Sequence, residues 1–239
     1  MKVSDITSRA RILLNDQDGT RWLDNELVSW INDAQKLIAL TRPDASVSNA
    51  ALTLVAGTKQ SIPAAGFRLL DVVRNLAADG TTGGRSIRHV DREVLDSQDP
   101  LWHTTTTSGT IKHFIYDNRD PKNFYVYPPA IAGTKVEAMY SVAPTEIIYD
   151  GTNATTIANT LATNLTVSDI YLEAVLNYVM YRSYSKDAEF SQNPQLAAGY
   201  LQTVYSMLGI KTQKDVAFSP DLNSKGSMPN AAAIQAGGV

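Results

Sequence analysis

The hydrophobic residues change their spacing twice along the chain, and this change constrains the fold more than any other feature. Apolar residues near the N-terminus recur at intervals of three and four: Leu27, Trp30, Ile31, Ala34, Leu37 and Ile38. Residues from about 50 to 145 instead read as short β-strands separated by turns, and the helical spacing returns at 165. With 44% hydrophobic residues in 239, the chain can bury a substantial core. The sequence therefore predicts an α+β fold.

Four segments follow from this pattern. Residues 1–45 and 165–211 hold the predicted N-terminal and C-terminal helices, which we expect to form one helical module. Residues 46–164 form a β-rich insertion between the two halves of that module. Residues 212–239 are rich in Ser, Pro, Gly, Asn and Ala, a composition that cannot build its own core, and they predict an extended C-terminal tail.

The stretch NDQDGTRWLDNEL, residues 15–27, has the Asp residues and the glycine of a calcium loop, but not their spacing. An EF-hand loop needs an oxygen ligand at position 1, Gly at position 6 and Glu at position 12. Placing Gly19 at position 6 puts Leu14 at position 1 and Asn25 at position 12. The stretch is therefore interpreted as a connector between two helices, with Gly19 as a left-handed exit from the first helix.

Capping residues predict where the helices begin and end. Ser4 is expected to cap the first helix, and Asp24 the second, which should stop near Thr41 because Pro43 disfavours helix in the residue before it. Toward the C-terminus, Thr166 has capping-box spacing with Asp169 ahead of one helix. The last helix is expected to have Asn193 as its cap and to end beyond Gly209.

The middle of the chain predicts strands joined by turns. AALTLVAGTKQSIPA is interpreted as a hairpin around Gly57. The glycine-rich run 80–84 is interpreted as a hairpin tip, because a phosphate loop would need a GK[ST] ending and a following helix. Three further strands follow, the second ending at Pro128-Pro129, and residues 150–165 are a polar connector.

Aromatic and apolar residues near the C-terminus suggest surfaces for protein partners. Six of the eleven tyrosines fall between 171 and 205, which fits either packing between paired helices or an aromatic subunit interface. The interface residues would be Tyr178, Tyr181, Tyr184, Tyr200 and Tyr205. The tail carries spaced apolar residues that suit either docking on a partner or a disordered end: Val216, Phe218, Pro220 and Leu222.

Composition argues against several other functions. The 21 Lys and Arg against 24 Asp and Glu give a net charge of −3 without a block of like charges, so we do not expect sequence-specific nucleic-acid binding. The apolar runs are too short to span a membrane and no signal-peptide pattern precedes them, which predicts a soluble, unprocessed protein. Absence of cysteine removes disulfides, thiolate zinc sites and Cys nucleophiles.

No catalytic signature is present in the sequence. The three histidines, His89, His103 and His113, occur outside HExxH, nucleophile-elbow, dinucleotide or kinase motifs. His113 and Asp117 are four residues apart in a predicted strand, where they lie about 13 Å from each other. We therefore predict no catalytic site, no cofactor and no metal centre, including one built from His103, His113 and Asp117.

Four segments follow one another in the order ARILLNDQDGTRWLDNELVSWINDAQKLIALTRPDA, LTLVAGTKQSIPAAGFRLLDVVRN, NFYVYPPA and YRSYSKDAEFSQNPQLAAGYLQTVYSMLG, and together they span most of residues 9–209. In this order, the segments resemble a family of bacteriophage head-to-tail adaptor proteins. The layout is more distantly similar to the tail tubular protein A of short-tailed phages.

This resemblance implies a structural virion protein that is not an enzyme. It implies a ring of twelve copies beneath the portal protein, assembled in the host cytoplasm and located at the tail vertex, or neck, of the virion. The ring would continue the DNA channel toward a tail nozzle or tail tube protein. Genomic DNA would pass through without sequence-specific binding, no membrane would be involved, and the tail residues would dock on the portal or on a neighbouring subunit.

Two other classes of protein remain alternatives on the sequence. A virion-associated hydrolase would depend on residues such as His113 or Glu93. A glycan-binding module would use Trp102 and its neighbours, and would bind host glycan as a monomer.

Overall fold

The computed structural model describes residues 1–187 and 192–218, with side chains as far as residue 209. The helices are α1 Val3–Leu14, α2 Asp24–Thr41, α3 Arg92–Gln98, α4 Ala154–Ala162, α5 Leu172–Lys186 and α6 Asn193–Phe218. The strands are β1 Val47–Thr53, β2 Gly57–Ser61, β3 Gly66–Leu76, β4 Gly83–Ser86, β5 Arg88–His89, β6 His113–Tyr116, β7 Asn123–Ala130 and β8 Lys135–Val142. The predicted α+β class is confirmed.

The chain contacts define two compact units, which are described separately. Unit 1 contains residues 1–34, 148–163 and the chain from 170 onward, and unit 2 contains residues 35–147 and 164–169. Within the described ranges, no helix combines the length and apolar character needed to cross a membrane.

In unit 1, helix α1 begins two residues earlier than its capping pattern predicted. Lys2 occupies the cap position, and its backbone N–H donates to the Asp5 carboxylate at 2.7 Å. Ser4 is therefore inside the helix, and its prediction as the cap is wrong because the chain is already helical at Val3. The helix ends at Leu14, and the next residue, Asn15, adopts the left-handed conformation with φ 53°, so the helix exit is Asn15 and not Gly19 as predicted.

Helix α2 ends at Thr41, as the position of Pro43 predicted. Its start differs from the prediction, because Asp24 is the first helical residue and its carboxylate accepts from the Arg11 guanidinium at 2.5 Å. The Glu26 carboxylate instead accepts from the Leu23 N–H at 3.3 Å. The acidic side chain that reaches back to the helix start is therefore the third residue of α2 and not the first.

Residues predicted as a polar connector contain helix α4. Asn153 caps this helix by accepting from the N–H groups of Thr155 and Thr156, at 2.9 and 3.1 Å. In return the Asn153 N–H donates to the Thr156 hydroxyl at 3.1 Å. The connector prediction was wrong for two reasons. Thr and Asn have low helix propensity, so the segment does not look helical. The capping box that stabilises the helix start has Thr in place of the usual Glu or Gln, so it was not recognised.

Helices α5 and α6 form the C-terminal part of unit 1 and pack against each other. Helix α6 begins at Asn193 and continues to Phe218, so residues 212–218 of the expected extended tail are helical. Thr166 does not cap α5, because its hydroxyl accepts from the Thr145 N–H at 3.1 Å and α5 starts only at Leu172.

Unit 2 contains two four-stranded sheets, in the orders β1-β8-β3-β4 and β2-β7-β6-β5. The predicted β1–β2 hairpin is wrong, because β1 pairs with β8 and β2 pairs with β7. The buried Gln60 amide holds the intervening segment: its Nε2 donates to the carbonyls of Val55 and Gly57, and its Oε1 accepts from the Val55 N–H. Short-range hydrophobic spacing could not reveal that the chain changes sheets here.

The glycine-rich run forms the β3–β4 hairpin tip, as predicted. Strand β7, however, continues through Pro128 and Pro129 to Ala130. Proline has no N–H to donate, but its carbonyl can still accept a hydrogen bond in a strand. Here the Ser108 N–H donates to the Pro129 carbonyl at 2.8 Å, and next to the prolines the Lys112 N–H donates to the Tyr127 carbonyl.

Both sheets contribute side chains to one apolar core in unit 2. Its buried members include Leu52, Leu69, Val72, Phe114, Phe124, Val126, Val136 and Ala138. A polar residue, Asn75, is also buried: its Nδ2 donates to the carbonyls of Arg85 and Ile111, and its Oδ1 accepts from the Ile111 N–H at 2.7 Å.

Candidate assembly surfaces

The connector between α1 and α2 is organised around the carboxylate of Asp16. Asp16 Oδ1 accepts from the Thr20 N–H at 3.0 Å, and Oδ2 accepts from the Trp22 N–H at 3.0 Å. The Arg21 N–H and the Thr20 hydroxyl donate to the same carboxylate. The hydrogen bond from the Trp22 amide is the largest cause of a lowered pKa for Asp16. This carboxylate therefore anchors a turn, because its oxygens are used by the connector itself.

Arg11 joins the connector to both flanking helices. Its guanidinium donates to the Asp16 carbonyl at 3.2 Å and to the Asp24 carboxylate at 2.5 Å. Gly19 has φ 66°, as predicted for a left-handed residue, and a Cβ at this position would lie 2.5 Å from Arg11 Nη1. Glycine is thus required here by both the backbone conformation and the close approach of Arg11.

The same connector is tied to the C-terminal end of α5. The buried Trp22 indole N–H donates to the Ser183 carbonyl at 3.4 Å, and the Arg21 guanidinium lies 5.0 Å from the centre of the Trp22 ring. Arg21 also forms an ion pair with Asp187. Together with the Arg11 contacts, these interactions give unit 1 a continuous network of charged and aromatic groups.

The five candidate tyrosines form one stacked pair, one edge-to-face pair and one exposed residue. The rings of Tyr184 on α5 and Tyr200 on α6 stack with centres 5.7 Å apart and an interplanar angle of 7°. Tyr178 and Tyr181 meet edge to face at 5.6 Å, and Tyr205 is 52% exposed. Burial raises the pKa of both Tyr178 and Tyr184. The Tyr184–Tyr200 stack therefore joins two helices of the same chain, whereas Tyr205 presents its ring to solvent.

The four candidate docking residues of the tail lie at the limit of the described chain. The backbone positions of Val216 and Phe218 belong to α6. Pro220 and Leu222 lie outside the described residues.

The residues considered for metal binding or catalysis are engaged in separate contacts. His103 stacks on Trp102 at 3.6 Å, and its Nδ1 is 2.9 Å from the Thr58 hydroxyl. His113 faces the Tyr127 ring, and burial lowers its pKa. Hydrogen bonds from Arg119 lower the pKa of Asp117 to about 2. Among the side chains of residues 1–187 and 192–209, no three or more His, Cys, Asp or Glu residues form a group able to hold a metal ion.

Trp102 is unsuited to stacking on a sugar ring. Its side chain is buried, with 1% exposed, and its indole N–H donates to the Asp96 carboxylate at 2.8 Å. Glu93, the carboxylate considered for a hydrolase, is exposed on the short helix α3.

Sequence reasoning missed the role of Asp16, although a local signal was present. An Asp side chain in a turn can accept backbone N–H groups that follow it in the chain, and Asp16 does so with the N–H groups of residues 20–22.

In the described part of unit 1, a charged network thus holds the α1–α2 connector in place, and aromatic side chains lie along α5 and α6. The sequence model of the SU10 adaptor protein family matches residues 1–224, and the chain belongs to this family. The predicted resemblance to phage head-to-tail adaptors is thereby confirmed. A phage adaptor family is a structural, non-enzymatic kind of protein, and membership in it implies a place in the virion and interaction with portal and tail proteins. None of the curated proteins matches the chain.

Proposed function

We propose that this adaptor forms a ring of twelve copies beneath the portal at the tail vertex. The ring joins the capsid to a tail nozzle or tail tube and continues the channel through which the genome is ejected. The observation that carries this proposal is the family match, which extends through both units from residue 1 to residue 224.

The slightly negative net charge of the chain suits the lining of a channel through which DNA has to move freely. A lumen that neutralised many phosphates would hold the duplex tightly, because each phosphate contact adds to affinity through counterion release. The net charge here is −3, and the two arginines at the α1–α2 connector are each paired with a carboxylate, Arg11 with Asp24 and Arg21 with Asp187. We therefore propose that DNA passes without sequence-specific binding.

For the subunit contacts, we propose that residues 1–45 and 165–211 act as one helical module whose aromatic surface faces a neighbouring copy. Tyr178, Tyr181 and Tyr205 form the contact surface, because Tyr205 is exposed and the other two are half-buried. Tyr184 and Tyr200 support this surface from within by stacking between α5 and α6. Tyrosine is enriched at protein interfaces because its ring buries a large area and its hydroxyl keeps a hydrogen bond.

The C-terminal residues provide the docking segment toward the portal or a neighbouring adaptor. Val216 and Phe218 extend this contact from the end of α6, and Pro220 and Leu222 continue it. Fully extended, residues 219–239 reach about 70 Å, which is enough to cross a subunit boundary.

Co-sedimentation with purified portal rings tests this function. Two truncations, one removing residues from Thr212 onward and one from Ser219 onward, divide the four docking residues into pairs. We expect the full chain to sediment with the portal. The protein that lacks residues from Ser219 onward should bind more weakly, and the protein that lacks residues from Thr212 onward should not bind. Melting temperatures near that of the full chain serve as the folding control. If both truncated proteins bind the portal as well as the full chain does, the C-terminal docking role is wrong; if the full chain itself does not bind, the adaptor position is wrong.

A further inference from the structure

Strand β1 lies at one edge of the sheet β1-β8-β3-β4 and pairs only with β8. Two hydrogen bonds beyond the ends of the pairing fix its orientation. The Val142 N–H donates to the Ser46 carbonyl at 2.9 Å, and the Leu54 N–H donates to the Thr134 carbonyl at 2.8 Å.

The outward-facing residues of β1 follow from these two bonds. In an antiparallel pair, residues that bond the partner strand alternate with residues whose N–H and C=O groups point away from it. Because Ser46 and Leu54 bond the β8 side, the backbone groups of the odd-numbered residues point to the open edge: Val47, Asn49, Ala51 and Thr53. Within the described part of the chain, no backbone hydrogen bond engages those outward groups.

The other three edge strands of unit 2 carry features that oppose pairing with another chain, and β1 carries none. Strand β2 has Lys59 and a register shift, β4 has four residues with Arg85 and a register shift, and β5 has two residues, one of them Arg88. Strand β1 has seven residues, regular register, no charged residue and no proline. Edge strands that are regular and uncharged are the ones that accept an added strand.

We propose that the open edge of β1 receives residues 230–236 of a neighbouring copy as an added strand. This inference rests on the proposed ring. Residues 230–236, NAAAIQA, form the longest run after Phe218 that lacks charge, proline and glycine, and the run has the same length as β1. The twelve residues from Phe218 to Asn230 can span about 40 Å, enough to bring the run to another copy.

The symmetry of a ring selects this partner over a second β1 strand. Two β1 edges that paired with each other would be related by a two-fold axis and would close a dimer. A ring needs contacts between two different surfaces of each copy, which a tail segment and a sheet edge provide. The main-chain groups supply the affinity in such strand addition.

Cross-linking between two single-cysteine variants tests the inference without a portal, because the natural chain contains no cysteine. One pool carries Thr53→Cys at the β1 edge. A second pool, distinguished by a size tag, carries one cysteine at position 231, 232 or 233. The mixed pools are treated with a short bis-maleimide, and the mixed dimer is quantified. Ser86→Cys, exposed on the β4 edge of the same sheet, replaces Thr53→Cys as the matched control.

We expect the mixed dimer from Thr53→Cys to exceed that from Ser86→Cys by about tenfold for at least one tail position, because docking raises the local concentration. Adding Ala51→Pro to Thr53→Cys should remove the excess, since proline deletes an outward N–H while sparing the bonds to β8. Ala132→Pro should leave it intact: Ala132 lies in a turn between β7 and β8 ahead of Gly133 with φ 89°, where proline is favoured.

Equal cross-linking from both edges, or an excess that survives Ala51→Pro, would overturn the inference. Docking of the tail on its own copy would also give equal yields, since only mixed dimers are counted. The outcome is independent of portal co-sedimentation, so a failed strand addition leaves the proposed adaptor function standing on its own test.

Discussion

The α1–α2 connector of unit 1 and the paired sheets of unit 2 are stabilised by different kinds of interaction. The connector depends on Asp16, Arg11 and Asp24, whose charged groups each hold a defined partner. The sheets share an apolar core in which Phe124 and Val126 are fully buried. Hydrogen bonds to a carboxylate require defined distances and angles between donor and acceptor. Apolar packing instead requires that the total side-chain volume match the space, and it tolerates small shifts in position. The connector should therefore be sensitive to geometry and pH, and the sheets to the size of their side chains.

The largest effect is expected in the apolar core. Phe124→Ala removes a large side chain that is 0% exposed and should lower the free energy of unfolding by about 3–5 kcal/mol. Urea denaturation at pH 7 measures this loss. Ile131→Ala, which truncates a half-exposed side chain of the same unit, is the control and should cost less than about 0.5 kcal/mol. A loss below about 1 kcal/mol for Phe124→Ala would show that the sheets do not depend on this packing.

An intermediate effect is expected at the Asp16 carboxylate. Asp16→Asn replaces one acceptor oxygen with an amide and should lower the free energy of unfolding by about 1–3 kcal/mol at pH 7. Asp18→Asn changes an exposed carboxylate of the same connector and should have little effect. Similar losses in the two variants would contradict the anchoring role of Asp16.

The cost of Asp16→Asn should also depend on pH. The hydrogen bond from the Trp22 N–H, and those from Arg21 and Thr20, lower the pKa of Asp16 in the folded state. The stability this carboxylate contributes is therefore complete above its unfolded pKa of about 3.9 and is lost as pH falls through the lower folded value. The difference between wild type and variant should shrink between pH 7 and pH 3, whereas the cost of Phe124→Ala should stay constant.

The smallest of the three effects concerns Gly19. Gly19→Ala forces a residue with a Cβ into the left-handed region, which costs about 1–2 kcal/mol, and also displaces the Arg11 guanidinium. Gly133→Ala, in unit 2, meets the same backbone strain at φ 89° but has no atom within 4 Å of the new Cβ. Comparing the melting temperatures of the two variants separates the cost of backbone strain from the cost of displacing the Arg11 guanidinium. Equal losses would indicate that Arg11 moves aside at no cost.

Regular helices were the part of the fold that the sequence predicted best. The end of α2 at Thr41 was recognised because proline restricts the residue before it, a local effect that does not depend on packing. The face of α6 that buries Ala197, Val204 and Leu208 was recognised from its spacing. Such predictions succeed where the deciding interaction lies within a few residues.

Long-range pairing and capping were harder to predict. The chain between β1 and β2 looks like a hairpin, yet each strand pairs with a strand about 60 or more residues away, which no local pattern encodes. Helix α4 was not predicted because a segment rich in Thr and Asn shows little apolar periodicity, although Asn153 provides a complete N-terminal cap. Among the candidate site residues, the stacking of Tyr184 on Tyr200 depends on how α5 meets α6, which the sequence does not specify.

The buried amide of Asn75 gives strand β3 a fixed register. The pairing of β3 with β8 shifts at three places, so backbone pairing alone defines the alignment of this strand weakly. A slip of two residues would keep the apolar face of β3 inward, but it would carry the Asn75 amide away from the carbonyls of Arg85 and Ile111 and from the Ile111 N–H. Leaving those buried groups unsatisfied is costly. Asn75 thus discriminates the native alignment from its nearest misfolded competitor, which an apolar residue of equal size could not do.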